Sequence, residues 1–127
     1  MGTRFAATVE STAHPNFKQA ILAAGDTDTV ITGRRVGPVR IIKNKLAREV
    51  LEMEAKGLSD GELLTFIGHG RSKMAMVDGD VENGSVMSGQ IAGMIRELVT
   101  VKEVVDSIVG GAPAISERVA RLWPTSR

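Results

Sequence analysis

Cysteine is absent from the chain. That excludes disulfides, thiolate–zinc sites and cysteine nucleophiles together. Aromatics are scarce: Phe5, Phe17, Phe66 and Trp123 are the whole set, which argues against single-strand binding by stacked rings. Charge of one sign is lacking too. Sixteen basic residues meet fifteen acidic ones, for a formal net charge of +1, so no electrostatic case exists for a nucleic-acid partner. No apolar run approaches the roughly 20 residues needed to span a membrane, and no basic n-region with an apolar h-region opens the chain. A soluble, cytoplasmic setting is therefore expected. What remains is ordinary globular composition, 43% hydrophobic and 24% charged over 127 residues. That is enough for one domain with a core and too short for two ordinary ones.

The glycines punctuate the chain. Met1-Gly2-Thr3-Arg4-Phe5 reads as the end of a strand. His14-Pro15-Asn16 reads as a helix start, since proline suits the first helical position. Phe17, Ala20, Ile21 and Ala24 then recur at helical spacing up to Gly25. The β-branched run Thr27 to Thr32 predicts a short extended segment, closed by Gly33 and Gly37-Pro38. Val39, Ile42, Leu46, Val50 and Met53 form one stripe, which predicts a long helix over 39–56. Ser59 and Glu62 have capping-box spacing, as do Thr100 and Glu103. Lys73 to Val77 is too short to assign, and Asp78-Gly79-Asp80 reads as a turn. A second long helix is predicted over 84–98, and Gly110-Gly111 is expected to interrupt the last helical stretch before Pro113 restarts it. The fold class expected is mainly α with one or two short strands. A chain so helical, with a β-branched insert, lacks a sheet to organise it.

Few residues announce chemistry. A Gly-Thr pair such as Gly2-Thr3, at the end of a strand, can offer backbone N–H groups and a hydroxyl to a phosphate, although a dipeptide is a weak signal. Ser85, Ser88, Gly89, Ala92 and Gly93 would share one face of the 84–98 helix, and glycine inside a helix is costly. Either tight packing or a wall beside a flat ligand accounts for such a face. The acidic turn from Asp78 to Gly84 fails the EF-hand pattern, with Asn83 where glycine belongs and Gly89 where glutamate belongs. No metal site is expected. His14 reads as a helix-entry residue. His69, between two glycines, could act as an acid or base, but no partner sits at a spacing that demands it. Gly68 to Lys73 is glycine-rich and basic without the spacing of a Walker loop.

Several blocks taken in order resemble one family. Gly2-Thr3-Arg4-Phe5, Thr8-Val9-Glu10-Ser11 and His14-Pro15-Asn16-Phe17-Lys18 resemble a stretch late in the flavin-dependent nitronate monooxygenases, also called 2-nitropropane dioxygenases. Arg40-Ile41-Ile42-Lys43-Asn44 follows in the expected place, and Gly79 through Gly93 is similar to the region near the family's C-terminus. The flavin-type enoyl-acyl-carrier-protein reductases belong to the same superfamily.

The resemblance implies the C-terminal part of an FMN-binding (β/α)₈ TIM barrel with a helical substrate domain, because a whole barrel needs about 250 residues. Residues 1–25 would carry the end of the last barrel strand, the phosphate loop and the following helix. Residues 26–83 would be a helical substrate-domain segment, and 84–127 C-terminal helices packing back on the barrel. It implies FMN-phosphate contacts from Gly2 and Thr3, and a flavin and substrate pocket bordered by Ser85, Met87 and Ser88. No catalytic residue is carried over, since neither His14 nor His69 matches the family's histidine. The implied reaction is oxidation of an alkyl nitronate with dioxygen through FMN. The alternative is reduction of an enoyl thioester, with NAD(P)H as hydride source. The implied partners are the small-molecule nitronate or enoyl thioester and an N-terminal barrel half, and a homodimer stays open. Alone, the chain is expected to be inactive. A reading of another class, a non-catalytic helical binding module, stands beside these.

Overall fold

The structure, a computed structural model, describes residues 1–122. It is mostly helical, with one antiparallel pair of strands. Helix α1 spans Gly2–Ala6 and α2 spans Pro15–Ala23. Strands β1 (Thr29–Thr32) and β2 (Val39–Ile42) pair in a register that sets Thr29 against Ile42 and Thr32 against Val39. Helices α3 (Lys45–Ala55), α4 (Asp60–Ile67) and α5 (Arg71–Met76) follow. A 3₁₀ turn at Gln90–Met94 leads into the long α6, Val101–Leu122.

Local chemistry explains most of the boundaries. Proline opens α2, and His14 caps it by accepting the Asn16 N–H on Nδ1 at 3.1 Å. The Asn44 side chain caps α3, accepting the Ala47 N–H at 2.9 Å. Its amide donates to the carbonyls of Val81 and Gly84, so one buried side chain ties the β2–α3 junction to the 81–84 turn. Ser59 and Glu62 form the anticipated capping box on α4. Thr100 and Glu103 do the same on α6, with Thr100 N–H donating to the Glu103 carboxylate at 2.7 Å and Glu103 N–H to Thr100 Oγ1 at 3.2 Å. In both boxes the hydroxyl and backbone donors hold the glutamate below the usual carboxylate range.

Four expectations need correction. Met1 to Phe5 is not a strand end: Gly2–Ala6 is helical, and the extended stretch comes later, where Thr8 forms a parallel bridge with Val99. The 39–56 helix begins only at Lys45, because Val39–Ile42 pairs with β1 and the Asn44 cap supplies the start. No helix spans 84–98. Ile42 N–H donates to Val86 O and Ser88 N–H to Arg40 O, so Val86 to Ser88 lies extended along β2. Glycines at 84, 89 and 93 lower the cost of leaving the helix for those non-local bonds. Finally, Gly110-Gly111 does not interrupt α6, which carries Pro113 inside it.

The core has two parts. Phe17, Ile21, Ala24, Ile42, Val86 and Ile95 meet in the larger one, which joins α2, the strands and the 3₁₀ turn. Leu46, Val50 and Leu63 form the smaller one between α3 and α4.

Candidate functional site

Thr3, for which the resemblance implies a phosphate contact, meets the residue that follows Ser88 in the chain. Thr3 Oγ1 accepts the Gly89 N–H at 2.9 Å, across 86 positions of sequence. The first turn of α1 is thereby fastened to the end of the extended segment that carries Ser85, Met87 and Ser88. Accepting that bond leaves the Thr3 hydroxyl proton free to donate elsewhere. Among the described residues the N–H groups of Gly2 and Thr3 find no acceptor, and a side chain at Gly2 would project into open space. These are two backbone N–H groups and one hydroxyl, donors of the kind that can face an anion.

The extended segment alternates, as a strand must. Val86 and Ser88 are buried at 0% and 5%, whereas Met87 is 42% exposed and Ser85 is half-buried. Ser88 therefore faces inward, its hydroxyl donating to Gly89 O at 3.3 Å and its N–H to Arg40 O. Ser85 and Met87 face the other way. Ser85 N–H donates to Arg71 O, and the Met87 sulfur lies 4.0 Å from Ser72 Oγ. The three candidates thus divide: Ser85 and Met87 border the surface next to α5, while Ser88 holds the segment in place. Ser72 and Arg71 were not singled out from sequence, and nothing in Gly68 to Lys73 reveals that Met87 packs beside it.

Of the two histidines, His14 is structural. Its ring lies so close to Gly79 that a Cβ there would come within 2.4 Å of it, and Asn16 Nδ2 donates to Gly79 O at 3.0 Å. His69 is exposed between Gly68 and Gly70, both at positive φ. The acidic turn is occupied internally. Asp80 accepts from the Asn83 side chain, the Asn83 N–H and the Glu82 N–H. These bonds, the Asn83 side chain foremost, hold its carboxyl below the usual range. Among the described residues no cluster of three metal-ligating side chains occurs.

Comparison with known proteins decides the family. The nitronate monooxygenase family model matches residues 1–111. The chain belongs to that family. Its fold is similar to FabK from Thermotoga maritima, with a TM-score of 0.84 and 37% identity over 96% of this chain and 39% of that one. Among curated proteins it is 30% identical, over 86% of its length and 41% of the relative's, to a (3aS,4S,5R,7aS)-5-hydroxy-7a-methyl-1-oxo-octahydro-1H-indene-4-carboxyl-CoA dehydrogenase of Mycobacterium tuberculosis. It is 26% identical to the Rhodococcus jostii enzyme of the same name, over 88% of this chain. The chain spans about two-fifths of the length of these relatives. Among the described residues no helix is long and apolar enough to cross a membrane.

Proposed function

We propose that the chain is the FMN-phosphate edge and helical substrate-domain portion of an FMN-dependent oxidoreductase acting on alkyl nitronates. The observation that carries this reading is the bond from Gly89 N–H to Thr3 Oγ1, which sets the phosphate donors and the pocket segment side by side in a chain of the nitronate monooxygenase family. The N–H groups of Gly2 and Thr3, unpaired among the described residues, suit a phosphate monoester together with the Thr3 hydroxyl. When bound, FMN supplies the electron transfer, and the protein supplies position and electrostatics. Gly2 and Thr3 hold the phosphate end. Ser88 and Asn44 fix the loop behind it, and Ser85 and Met87 border the place where substrate enters. The acid–base group lies in the portion of the relatives that the chain does not span, which is why it is inactive alone. That portion, the N-terminal barrel half, is its partner, and the reading takes the assembled enzyme to be cytoplasmic.

A second reading, reduction of an enoyl thioester with NAD(P)H, is favoured by the likeness to FabK, a flavin enoyl-acyl-carrier-protein reductase, and by relatives named for a carboxyl-CoA. Both readings require the same phosphate contact, so that contact is tested first. In an NMR titration of the isolated chain, FMN is expected to bind weakly and shift the amide signals of Gly2, Thr3 and Gly89. Riboflavin, which lacks the phosphate, should leave them unmoved. Equal shifts with riboflavin, or shifts confined to other residues, refute the phosphate assignment. Nitronate-dependent oxygen uptake against enoyl-thioester-dependent NAD(P)H oxidation, in protein completed with a barrel half, then separates the two substrates.

A further inference from the structure

Of the three asparagines, Asn16 is followed by Phe17, Asn44 by Lys45 and Asn83 by Gly84. A backbone nitrogen that reaches the side-chain carbonyl carbon of the residue before it can close a five-membered ring. Glycine makes that approach easiest, because no Cβ stands in the way and its backbone turns freely. In an unrestrained chain Asn83 is therefore the asparagine most open to this reaction.

The fold restrains both reacting groups, and it hangs both on Asp80. Asn83 Nδ2 donates to Asp80 Oδ1 at 3.1 Å and to Oδ2 at 2.9 Å, and the Asn83 N–H donates to Oδ1 at 3.0 Å. The Gly84 N–H, whose nitrogen would be the nucleophile, donates to Asp80 O at 3.0 Å. Arg71 Nη1 holds the Asn83 carbonyl at 3.0 Å, and Gly84 is buried. Ring closure requires the Gly84 nitrogen to leave Asp80 O and the Asn83 amide to swing off the carboxylate. Neither residue is easily exchanged for a more durable one. A Cβ at position 84 would stand 2.5 Å from Ala75 N and 2.6 Å from Asp80 O. A carboxylate at position 83 would face that of Asp80 with acceptors only, where the amide brings two donors.

We propose that Asn83–Gly84 is a site of spontaneous deamidation that Asp80 holds closed, and that its conversion releases the segment from Ser85 to Ser88. The Gly84 nitrogen gives up its proton and bonds to Asn83 Cγ. The Cγ–Nδ2 bond breaks, and ammonia leaves with that proton. Water then opens the cyclic imide. Cleavage of the new N–Cγ bond leaves aspartate at position 83; cleavage of the original peptide C–N bond leaves isoaspartate, whose main chain runs through the side-chain carbons. Water is the only co-reactant, and nothing is oxidised or reduced. Either product sets a negative charge against Asp80, and isoaspartate also lengthens the backbone before Gly84. The anchors of the extended segment lie next to the change: Asn44 Nδ2 donates to Gly84 O at 2.8 Å, and Ser85 N–H donates to Arg71 O at 2.8 Å. The inference does not depend on the flavin reading, since the turn would age in the same way whatever the chain binds.

The test incubates the full 127-residue chain at neutral pH, folded and in guanidinium chloride. Peptide mapping by mass spectrometry follows Asn16, Asn44 and Asn83, and chromatography separates the aspartate and isoaspartate products. In denaturant Asn83 should convert fastest of the three, and in the folded chain its rate should fall by at least about a hundredfold, the reaction being left to local opening. Asp80→Ala, which deletes the carboxylate and its bonds, should raise the folded-state rate about tenfold. Equal rates in folded and unfolded chain, or a folded Asp80→Ala protein that converts no faster than the native one, would overturn the proposal. Where Asp80→Ala fails to fold, the native chain decides. Denaturant below the unfolding midpoint speeds amide exchange at Gly84, and deamidation must rise in step; faster exchange without faster deamidation would overturn the proposal as well. Asn83→Asp makes one product directly. It should speed amide exchange at Ser85 and at Ile42, whose N–H donates to Val86 O, and exchange unchanged at both would overturn the claimed release of the segment.

Discussion

Replacing Gly84 by alanine adds one methyl group at the glycine whose Cβ position backbone atoms approach most closely. Its Cβ would stand 2.5 Å from Ala75 N, 2.6 Å from Asp80 O and 2.8 Å from Ala75 Cβ. Two of those atoms are backbone, so no flexible side chain can swing away. Three hydrogen bonds converge on the same spot: Gly84 N–H to Asp80 O at 3.0 Å, Ser85 N–H to Arg71 O at 2.8 Å and Asn44 Nδ2 to Gly84 O at 2.8 Å. Overpacking a core by this amount costs about 1–3 kcal/mol, and weakening one of the three bonds adds roughly 1 kcal/mol. A loss of about 3 kcal/mol is expected, which lowers the melting temperature of a chain this size by roughly 10 °C. Urea unfolding is the assay, with the midpoint shifting and the slope unchanged. Gly89→Ala is the internal comparison. Its φ of −74° suits alanine, and the new Cβ meets Thr3 Oγ1 at an ordinary 3.5 Å. It should be stabilising by about 0.4–1 kcal/mol through the unfolded state. If Gly84→Ala leaves the midpoint where it was, or if Gly89→Ala is the more damaging of the two, the packing argument is wrong.

Asn44→Ala removes a helix cap and strands two carbonyls, so urea unfolding should show a loss of about 2–4 kcal/mol. Lys18 is buried and donates to the carbonyls of Thr8 and Val9 at 2.8 and 3.3 Å. Lys18→Met should cost about 1–3 kcal/mol and speed amide exchange at Val9. Glu62, Asp80 and Glu103 have folded-state pKa values below their ordinary ones. Each therefore binds fewer protons folded than unfolded as it titrates, and its contribution is complete above the ordinary carboxylate range and lost as the pH falls through it and below. Urea midpoints from pH 7 to pH 3 should drop on the acid side, and Asp80→Asn should flatten that slope. Glu97 is exposed and its side chain makes no hydrogen bond or ion pair among the described residues, so Glu97→Gln should change stability by less than about 0.5 kcal/mol.

What the sequence disclosed, and what it concealed, divides along the range of the interactions. The start of α2 at Pro15, the two capping boxes and the stop at Gly57 are decided by residues within four positions of one another, and all are readable as text. Val39–Ile42 fits a helical stripe equally well, since Val39 and Ile42 are three apart, and becomes a strand only because β1 lies beside it. The segment from Ser85 to Gly93 also has helical spacing of small residues. Bonds to Arg40 and Ile42, more than forty positions away, draw it out straight. Of the close approaches suspected on that face, Gly93 makes one, its Cβ direction meeting Asp26 at 2.6–2.9 Å, and Gly89 does not. The meeting of Thr3 with Gly89 has no local signature, so the resemblance, which implied roles for Thr3 and Ser88, did not reveal that Thr3 holds the residue after Ser88. The inward turn of Ser88 follows from strand alternation, which a helical reading hides.

Hydrogen bonds at four residues fasten the beginning of the chain to its far end. Thr3 holds Gly89, Arg4 donates to Glu97 O, Val9 N–H reaches Val99 O and Glu10 accepts the Val101 N–H. On a ribosome making about 5–20 residues per second, residues 1–10 therefore wait roughly 5–20 seconds before any of these partners exists. During that interval Phe5, Ala7 and Val9 are free apolar residues on a nascent chain, open to a chaperone or to the wrong contact. The slow step of folding should be this late closure, and residues 1–10 are most exposed to misassembly while they wait for it.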